Sequence, residues 1–214
     1  MTLPTSCPNW DYENFPDWQV KIRDRTRQVQ LWLRKSPEWQ LLERCRDARP
    51  FHEGYFAGLT PPGCPYYAGH YRGENFVCLR DYQVSVPGDP MVGWDASSVP
   101  YAMCVFADEI GNVAQQANLV EEAPRTLLKQ AEKIAIYVKY VAALFVYFLE
   151  IHPYANGNGH MARFILSCFL ARYKLFLSRF KVHPRPQDPP YSVAIANYRR
   201  GRTQDLERFI LSCL

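Results

Sequence analysis

The hydrophobic positions of the chain follow a helical period over most of its length. Between residues 17 and 46, apolar side chains recur at a spacing of three or four, which is typical of one or two amphipathic helices. The Ser36-Pro37 pair predicts a joint between them, because proline fits the first turn of a helix and disrupts its interior. Further helices are predicted at residues 101–119, 123–150, 160–176 and 191–214. The pattern therefore predicts a mainly α-helical protein.

One stretch departs from the helical pattern. Residues 60–100 are rich in glycine and proline, and they contain two short β-prone runs, at 76–79 and 82–86. Arg80-Asp81 lies between the two runs and provides the turn. This part of the chain therefore predicts a β-hairpin flanked by loops.

The composition is that of a single packed domain rather than a disordered chain. Hydrophobic residues make up 48% of the 214 residues and charged residues 21%, which is enough for a sizeable core. The net charge is +4 and the basic residues are scattered, so nucleic acid is not an expected partner. The N-terminus has no basic region followed by an apolar one, so no secretory signal is predicted.

The cysteines and one apolar stretch bear on the compartment. None of the seven cysteines has the short spacing of a zinc site or redox pair, so we expect reduced thiols in a cytoplasmic protein. Residues 134–151 are about long enough to cross a membrane, but Lys139 lies among them and a glycine-rich loop follows directly. A helix that is apolar on nearly all sides is more often a central core helix, so no membrane partner is expected.

The residues after this apolar stretch carry the clearest chemistry. Pro153 ends the long helix near His152, and Gly157 and Gly159 permit backbone conformations and close approaches that other residues do not. The next helix starts at about residues 158–160, which leaves backbone N–H groups unpaired at its positive end. Such a turn is a natural site for phosphate.

Two side chains complete the predicted site. Arg163 lies one turn into the new helix, where a permanent guanidinium charge suits phosphate oxygens. His152 is the nearby residue whose pKa suits taking a proton near neutrality. By itself, a glycine-asparagine turn between helices is commonly only a capped turn. The combination favours transfer of a phosphoryl or nucleotidyl group.

The segment HPYANGNGHMAR, residues 152–163, resembles the signature of the Fic (Fic/Doc, Fido) family, H-P-F-x-(D/E)-G-N-(G/K)-R-x-x-R. Residues 66–74, YYAGHYRGE, resemble the A-G-x-x-R segment that leads into the hairpin of that family, and residues 191–210 resemble its closing helices. The resemblance implies a Fic-type helical bundle with a β-hairpin flap. It divides the chain into an N-terminal helical extension, 1–38, and a Fic-like domain, 39–214.

The resemblance also implies an activity. Most characterised Fic proteins transfer AMP from Mg-ATP to a Ser, Thr or Tyr hydroxyl of a target protein. His152 would then be the catalytic base, and the hairpin would be the flap that docks the target as an added strand. The residues that would bind nucleotide and phosphate are Asn156, Gly157, Asn158, Gly159, His160 and Arg163. The flap residues that would dock the target are Val77, Cys78, Leu79, Gln83 and Val84.

Three positions depart from the family pattern. Asn156 stands where the family has the acid that holds Mg²⁺, so it would be a weak metal ligand. His160 replaces an arginine, and Tyr154 replaces the phenylalanine. Three alternatives follow: a transferase with a weakened metal site or another donor, a degenerate fold that binds a nucleotide or protein without catalysis, and removal of AMP from targets.

Regulation and location are further expectations. In the family an inhibitory glutamate occurs in the pattern (S/T)-x-x-x-E-(G/N), to which residues 203–208 and residues 9–14 are imperfect matches. A separate inhibitory partner is the other candidate. We expect the protein in the cytoplasm, or in a host cytosol after delivery.

Overall fold

The computed structural model describes residues 7–86 and 89–214, and within them it confirms a mainly helical fold. Short 3₁₀ helices lie at Tyr12–Asn14, Pro65–Tyr67 and Ala96–Ser98. The α-helices are α1 (Trp18–Lys35), α2 (Glu38–Arg46), α3 (Arg49–Phe56), α4 (Val99–Glu122), α5 (Gln130–Ile151), α6 (Asn158–Arg172), α7 (Tyr191–Arg199) and α8 (Thr203–Leu211).

The two helices that flank the predicted loop form the centre of the bundle. α5 packs against α4, α6 and α8, and α6 also packs against α2 and α1. Nearly every side chain of α6 is buried, because neighbours cover it on all sides. α5 is long and apolar enough to cross a membrane, and half of its most apolar stretch is buried in the fold. A core helix passes the same test.

Some helix boundaries follow the sequence signals, but α5 begins at residue 130 rather than 123, α6 ends at 172 rather than 176, and α3 was not predicted. Pro37 is the N-cap of α2, as the Ser36-Pro37 joint predicts. α1 buries Ile22, Thr26, Val29 and Leu33, which repeat at three- and four-residue spacing on one face. α1 contacts α6, so this part of the N-terminal extension packs directly on the core of the bundle. The domain division itself stays a prediction.

The predicted β-hairpin is wrong. Residues 76–86 form turns and irregular backbone, and an isolated antiparallel bridge between Val86 and Asp89 is the one strand-like pairing in the described part of the chain. The segment instead folds back onto the body. Leu79 is fully buried and its carbonyl accepts a hydrogen bond from the Gly73 N–H, while the Tyr82 carbonyl accepts from Arg72. Tertiary contacts therefore use groups that a strand ladder would need.

The expectation of reduced thiols is also wrong for two cysteines. Cys7 and Cys78 form a disulfide, although 71 positions separate them in the sequence. The spacing of the cysteines in the sequence does not predict this pair, because only the fold brings Cys7 beside Cys78. The other five cysteines are free, and of these Cys104 is exposed.

Candidate functional site

The chain reverses direction at His152, between α5 and the loop that leads to α6. His152 is the C-cap of α5 and has a left-handed backbone, with φ 53° and ψ 59°. Its Nδ1 lies 3.3 Å from the Leu149 carbonyl oxygen, which can only accept, so this ring nitrogen carries the proton and Nε2 is left as an acceptor. Burial, with smaller effects from the charges of Arg72 and Arg199, lowers the pKa of His152 to about 4. The ring is therefore neutral at pH 7.

Arg72 holds this reversal in place. Its fully buried guanidinium donates to four backbone carbonyls: Ile151 at 3.1 Å, His152 at 2.9 Å, Tyr82 at 3.0 Å and Trp94 at 3.0 Å. Two of these carbonyls lie at the C-terminal end of α5, where the helix dipole favours a cation. Arg72 thus joins the end of α5 to the segment in which the hairpin was expected.

The loop between α5 and α6 is closed by a reciprocal pair of hydrogen bonds. The Asn158 side chain accepts from the Tyr154 N–H and donates to the Tyr154 carbonyl, both at 2.8 Å. Both residues are buried. The Asn158 side chain is therefore part of the loop structure, and only its backbone N–H is left for a ligand.

The first turn of α6 provides a small anion site. Gly157 precedes the helix with φ +80°, and its carbonyl accepts from the N–H groups of His160 and Met161. The N–H groups of Asn158 and Gly159 have no acceptor among the described residues and lie at the positive end of the helix. The Gly157 N–H is occupied, because it donates to the Asn156 side-chain oxygen at 2.6 Å.

A buried histidine, His52 of α3, contacts the loop between α5 and α6 through a hydrogen bond and a ring stack. His52 accepts from the Gly69 N–H at Nδ1, at 2.9 Å, so its Nε2 carries the proton and donates to the Asn156 carbonyl at 3.0 Å. The ring also stacks on Tyr154, with centroids 3.8 Å apart. Burial lowers the pKa of His52 to about 3, so it is neutral under ordinary conditions. Sequence reasoning missed His52, because a single histidine in α3 carries no local signal of its distant partners.

The position at which the family has its first arginine carries no charge here. His160 is buried, and burial lowers its pKa well below the usual value, assisted by Arg163. Its ring stacks on His183 and meets the edge of Tyr12. Position 160 therefore contributes an aromatic surface rather than a cation.

Arg163 is the cation that remains beside the first turn of α6. Its Nε and Nη2 donate to the Val182 carbonyl at 3.0 and 2.8 Å, and Nη1 lies 3.4 Å from the Tyr191 hydroxyl. Nη1 also lies 3.2 Å from the point where a Cβ on Gly159 would sit. The guanidinium is thus fixed against the helix N-terminus, with Nη1 at its ligand side.

These groups meet at one open cavity of about 390 Å³. Four of the predicted residues line it: His152, Gly159, His160 and Arg163. Asn156, Gly157 and Asn158 lie outside its lining, as do all five predicted docking residues, Val77, Cys78, Leu79, Gln83 and Val84. The structure therefore brings His152, the N-terminus of α6 and Arg163 together, and leaves the expected docking segment outside the cavity lining.

The cavity also has lining residues that sequence reasoning did not identify. Arg199 comes from α7, and its buried side chain forms ion pairs with Asp89 and Glu150. Arg185 is exposed and pairs with Asp188 at 3.0 Å. These arginines lie far from the loop in sequence, so only the fold could place them here.

The two glutamates considered as inhibitory residues differ in position. Glu13 lines the cavity and lies in the 3₁₀ helix Tyr12–Asn14, whereas Glu207 lies on α8 and is not part of the lining.

The residues present do not fit a carboxylate-held magnesium site. Both polar atoms of the Asn156 side chain are engaged: Nδ2 donates to the Trp10 carbonyl at 2.8 Å, and Oδ1 accepts from Gly157. Within residues 7–86 and 89–214, no three His, Cys, Asp or Glu side chains are grouped as a metal site. The predicted weak metal role of Asn156 would therefore rest on one neutral amide oxygen that already accepts a hydrogen bond.

A helix N-terminus, an arginine and a neutral histidine around one cavity are groups suited to an anion of the phosphate type. Residues 66–170, which contain all of α4 and α5 and most of α6, match the model of the Fic/DOC family. The chain therefore carries a Fic domain, and members of this family are generally transferases. A search of curated proteins gave no significant match.

Proposed function

We propose that the protein transfers a nucleotidyl group, with AMP from ATP as the first candidate, to a Ser, Thr or Tyr hydroxyl of a target protein. The observation that carries this proposal is His152. Its ring is neutral, its Nε2 is left as an acceptor, and it shares a cavity with the N-terminus of α6 and Arg163. A module that only binds would have no need for a base at this point.

The proposed step is a displacement at the α-phosphorus. The target hydroxyl gives its proton to His152 Nε2, and its oxygen forms the new bond to phosphorus while the bond to the pyrophosphate oxygen breaks. The N–H groups of Asn158 and Gly159 donate to the α-phosphate oxygens, where negative charge is concentrated. Arg163 supplies positive charge beside them. We assign no step to Mg²⁺, because position 156 offers a neutral amide oxygen, already engaged with Gly157, in place of a carboxylate.

The proposed partners and location follow from this chemistry. The partners are a nucleotide, a target protein with an accessible hydroxyl, and a separate inhibitory protein; nucleic acid and membrane are not proposed. We place the protein in the cytoplasm of its own cell or of a host, where nucleotide donors are found. A disulfide in such a compartment is usually transient or redox-sensing.

The test is transfer of label from ATP to proteins of a cell lysate, with UTP and CTP as parallel donors. His152→Ala should reduce transfer by about a hundred- to ten-thousand-fold, the usual contribution of a general base. The matched control is His70→Ala, because His70 pairs with Glu74 outside the cavity and should leave transfer unchanged. Retention of more than about a tenth of the activity by His152→Ala would remove this residue from the role.

A second candidate is a Fic fold that binds a nucleotide or protein without catalysis. It is favoured by the occupied Gly157 N–H and the uncharged His160, which leave fewer groups to hold a triphosphate. Nucleotide binding by calorimetry, with no label transferred to any protein or to the chain itself, would support this alternative over the transferase.

A further inference from the structure

The N-terminal segment lies against the loop that carries the anion site. This strap, residues 7–15, is fixed at its start by the Cys7–Cys78 disulfide. The Pro8 carbonyl then accepts from the Tyr67 hydroxyl at 2.9 Å, and the Trp10 indole donates to the Leu59 carbonyl at 2.6 Å. Trp10 and Tyr12 are buried against the aromatic ring of Phe56. The strap is thus a docked part of the fold.

The strap also holds a side chain of the loop itself. The Trp10 carbonyl accepts from Asn156 Nδ2, and this contact turns Asn156 Oδ1 toward the Gly157 N–H. The Gly157 N–H is thereby occupied, although it adjoins the two free N–H groups of the α6 N-terminus. A few residues further on, Glu13 places a carboxylate in the cavity lining. Both features disfavour an anion while the strap is docked.

We propose that the strap is a thiol-sensitive latch: with the Cys7–Cys78 disulfide intact it holds Asn156 on the Gly157 N–H, and its release opens this N–H to an anion. The disulfide is the covalent tie between the strap and the rest of the fold. Release would give Asn156 freedom to turn away and would withdraw Glu13 from the cavity. The proposal concerns anion binding and does not depend on nucleotidyl transfer.

The redox step is an ordinary thiol–disulfide exchange. A dithiol attacks the exposed Cys7 sulfur, the S–S bond breaks, and the dithiol becomes a disulfide as it passes two electrons and two protons to Cys7 and Cys78. Cys7 is exposed, so a reductant can reach it without unfolding the core. The remaining five cysteines are free, so the reductant has one target.

The experiment compares oxidised and dithiothreitol-reduced protein with two readouts. Hydrogen exchange reports whether residues 8–15 stay docked, and calorimetry with inorganic pyrophosphate reports the anion site. We expect reduction to speed exchange in the strap and to tighten pyrophosphate binding about tenfold, as for one added charge-assisted hydrogen bond. Cys7→Ser should give the same exchange rates and pyrophosphate affinity as the reduced protein, and dithiothreitol should change neither. Cys104→Ser, which changes an exposed free thiol, should respond like the natural chain.

A second variant tests the latch apart from the disulfide. Asn156→Ala removes the oxygen that occupies the Gly157 N–H, so it should bind pyrophosphate more tightly even when oxidised. Unchanged strap exchange on reduction would overturn the proposal. So would a released strap with unchanged pyrophosphate binding, because Asn156 would then not be what limits the site. If Cys7→Ser does not fold, reversal of both readouts on reoxidation of the natural chain decides the matter.

Discussion

Acid should destabilise this protein through His52, and the contacts of that residue give the size of the effect. Its Nδ1 accepts from the Gly69 N–H and its Nε2 donates to the Asn156 carbonyl, so both ring nitrogens are committed in the neutral state. A second proton on Nδ1 would face the Gly69 N–H in a fully buried site. Burial accordingly lowers the pKa of His52 to about 3, from the usual 6.5.

The sign and size follow from proton linkage. The unfolded chain binds a proton at this residue below about pH 6.5, whereas the folded chain does not until about pH 3. Stability is therefore fully present above pH 6.5 and is lost as the pH falls through this window. At pH 5 the loss from His52 alone amounts to about 2 kcal/mol. That is a substantial fraction of the roughly 5–15 kcal/mol that stabilises a typical domain.

The assay is urea unfolding of the natural chain and His52→Gln at pH 8, 7, 6 and 5. The glutamine can still donate to Asn156 but lacks the Nδ1 acceptor, so we expect lower stability than the natural chain at pH 8. Because it does not titrate, it should lose about 2 kcal/mol less between pH 8 and pH 5. His152 and His160 are present in both proteins and cancel in the difference. An equal change in the free energy of unfolding with pH in the two proteins would refute the reasoning.

Two further substitutions test the scaffold of the site by urea unfolding. Arg72→Met should lower the free energy of unfolding by at least about 3 kcal/mol, because it leaves four backbone carbonyls without this buried donor; a loss under about 1 kcal/mol would contradict this role. Gly157→Ala should cost about 2–4 kcal/mol, since φ is +80° and a Cβ would lie 2.4 Å from the Phe56 ring. Gly58→Ala is its matched control, with φ +68° and open space, and should cost only about 1 kcal/mol; equal losses would show that the Phe56 contact is unimportant.

Most of the helices, though not α3, could be predicted from the sequence, because their signals are local. Pro37 starts α2, and Pro153 follows the last turn of α5, as the prolines predict. The cluster of His152, Gly159 and Arg163 was predictable for the same reason, since all three lie within residues 152–163, from the end of α5 into the first turns of α6.

What the sequence could not predict depends on distant contacts. The segment with β-prone residues 76–79 and 82–86 has the composition of a hairpin, but Arg72 takes the Tyr82 carbonyl and the core takes Leu79. The Cys7–Cys78 disulfide could not be predicted from the spacing of the cysteines either. In both cases tertiary packing overrides a weak local preference.

The two uncharged positions of the motif have one structural explanation. Asn156 donates to the Trp10 carbonyl, which an ionised carboxylate cannot do, because it has no proton to give. His160 lies among aromatic rings, with Tyr12 of the strap at its edge, where the permanent charge of an arginine would have to be buried. Each position is therefore adapted to the docked strap. Asn156 and His160 are therefore more than a metal and phosphate site that has lost its charged residues. Together they form part of the surface against which residues 7–15 pack.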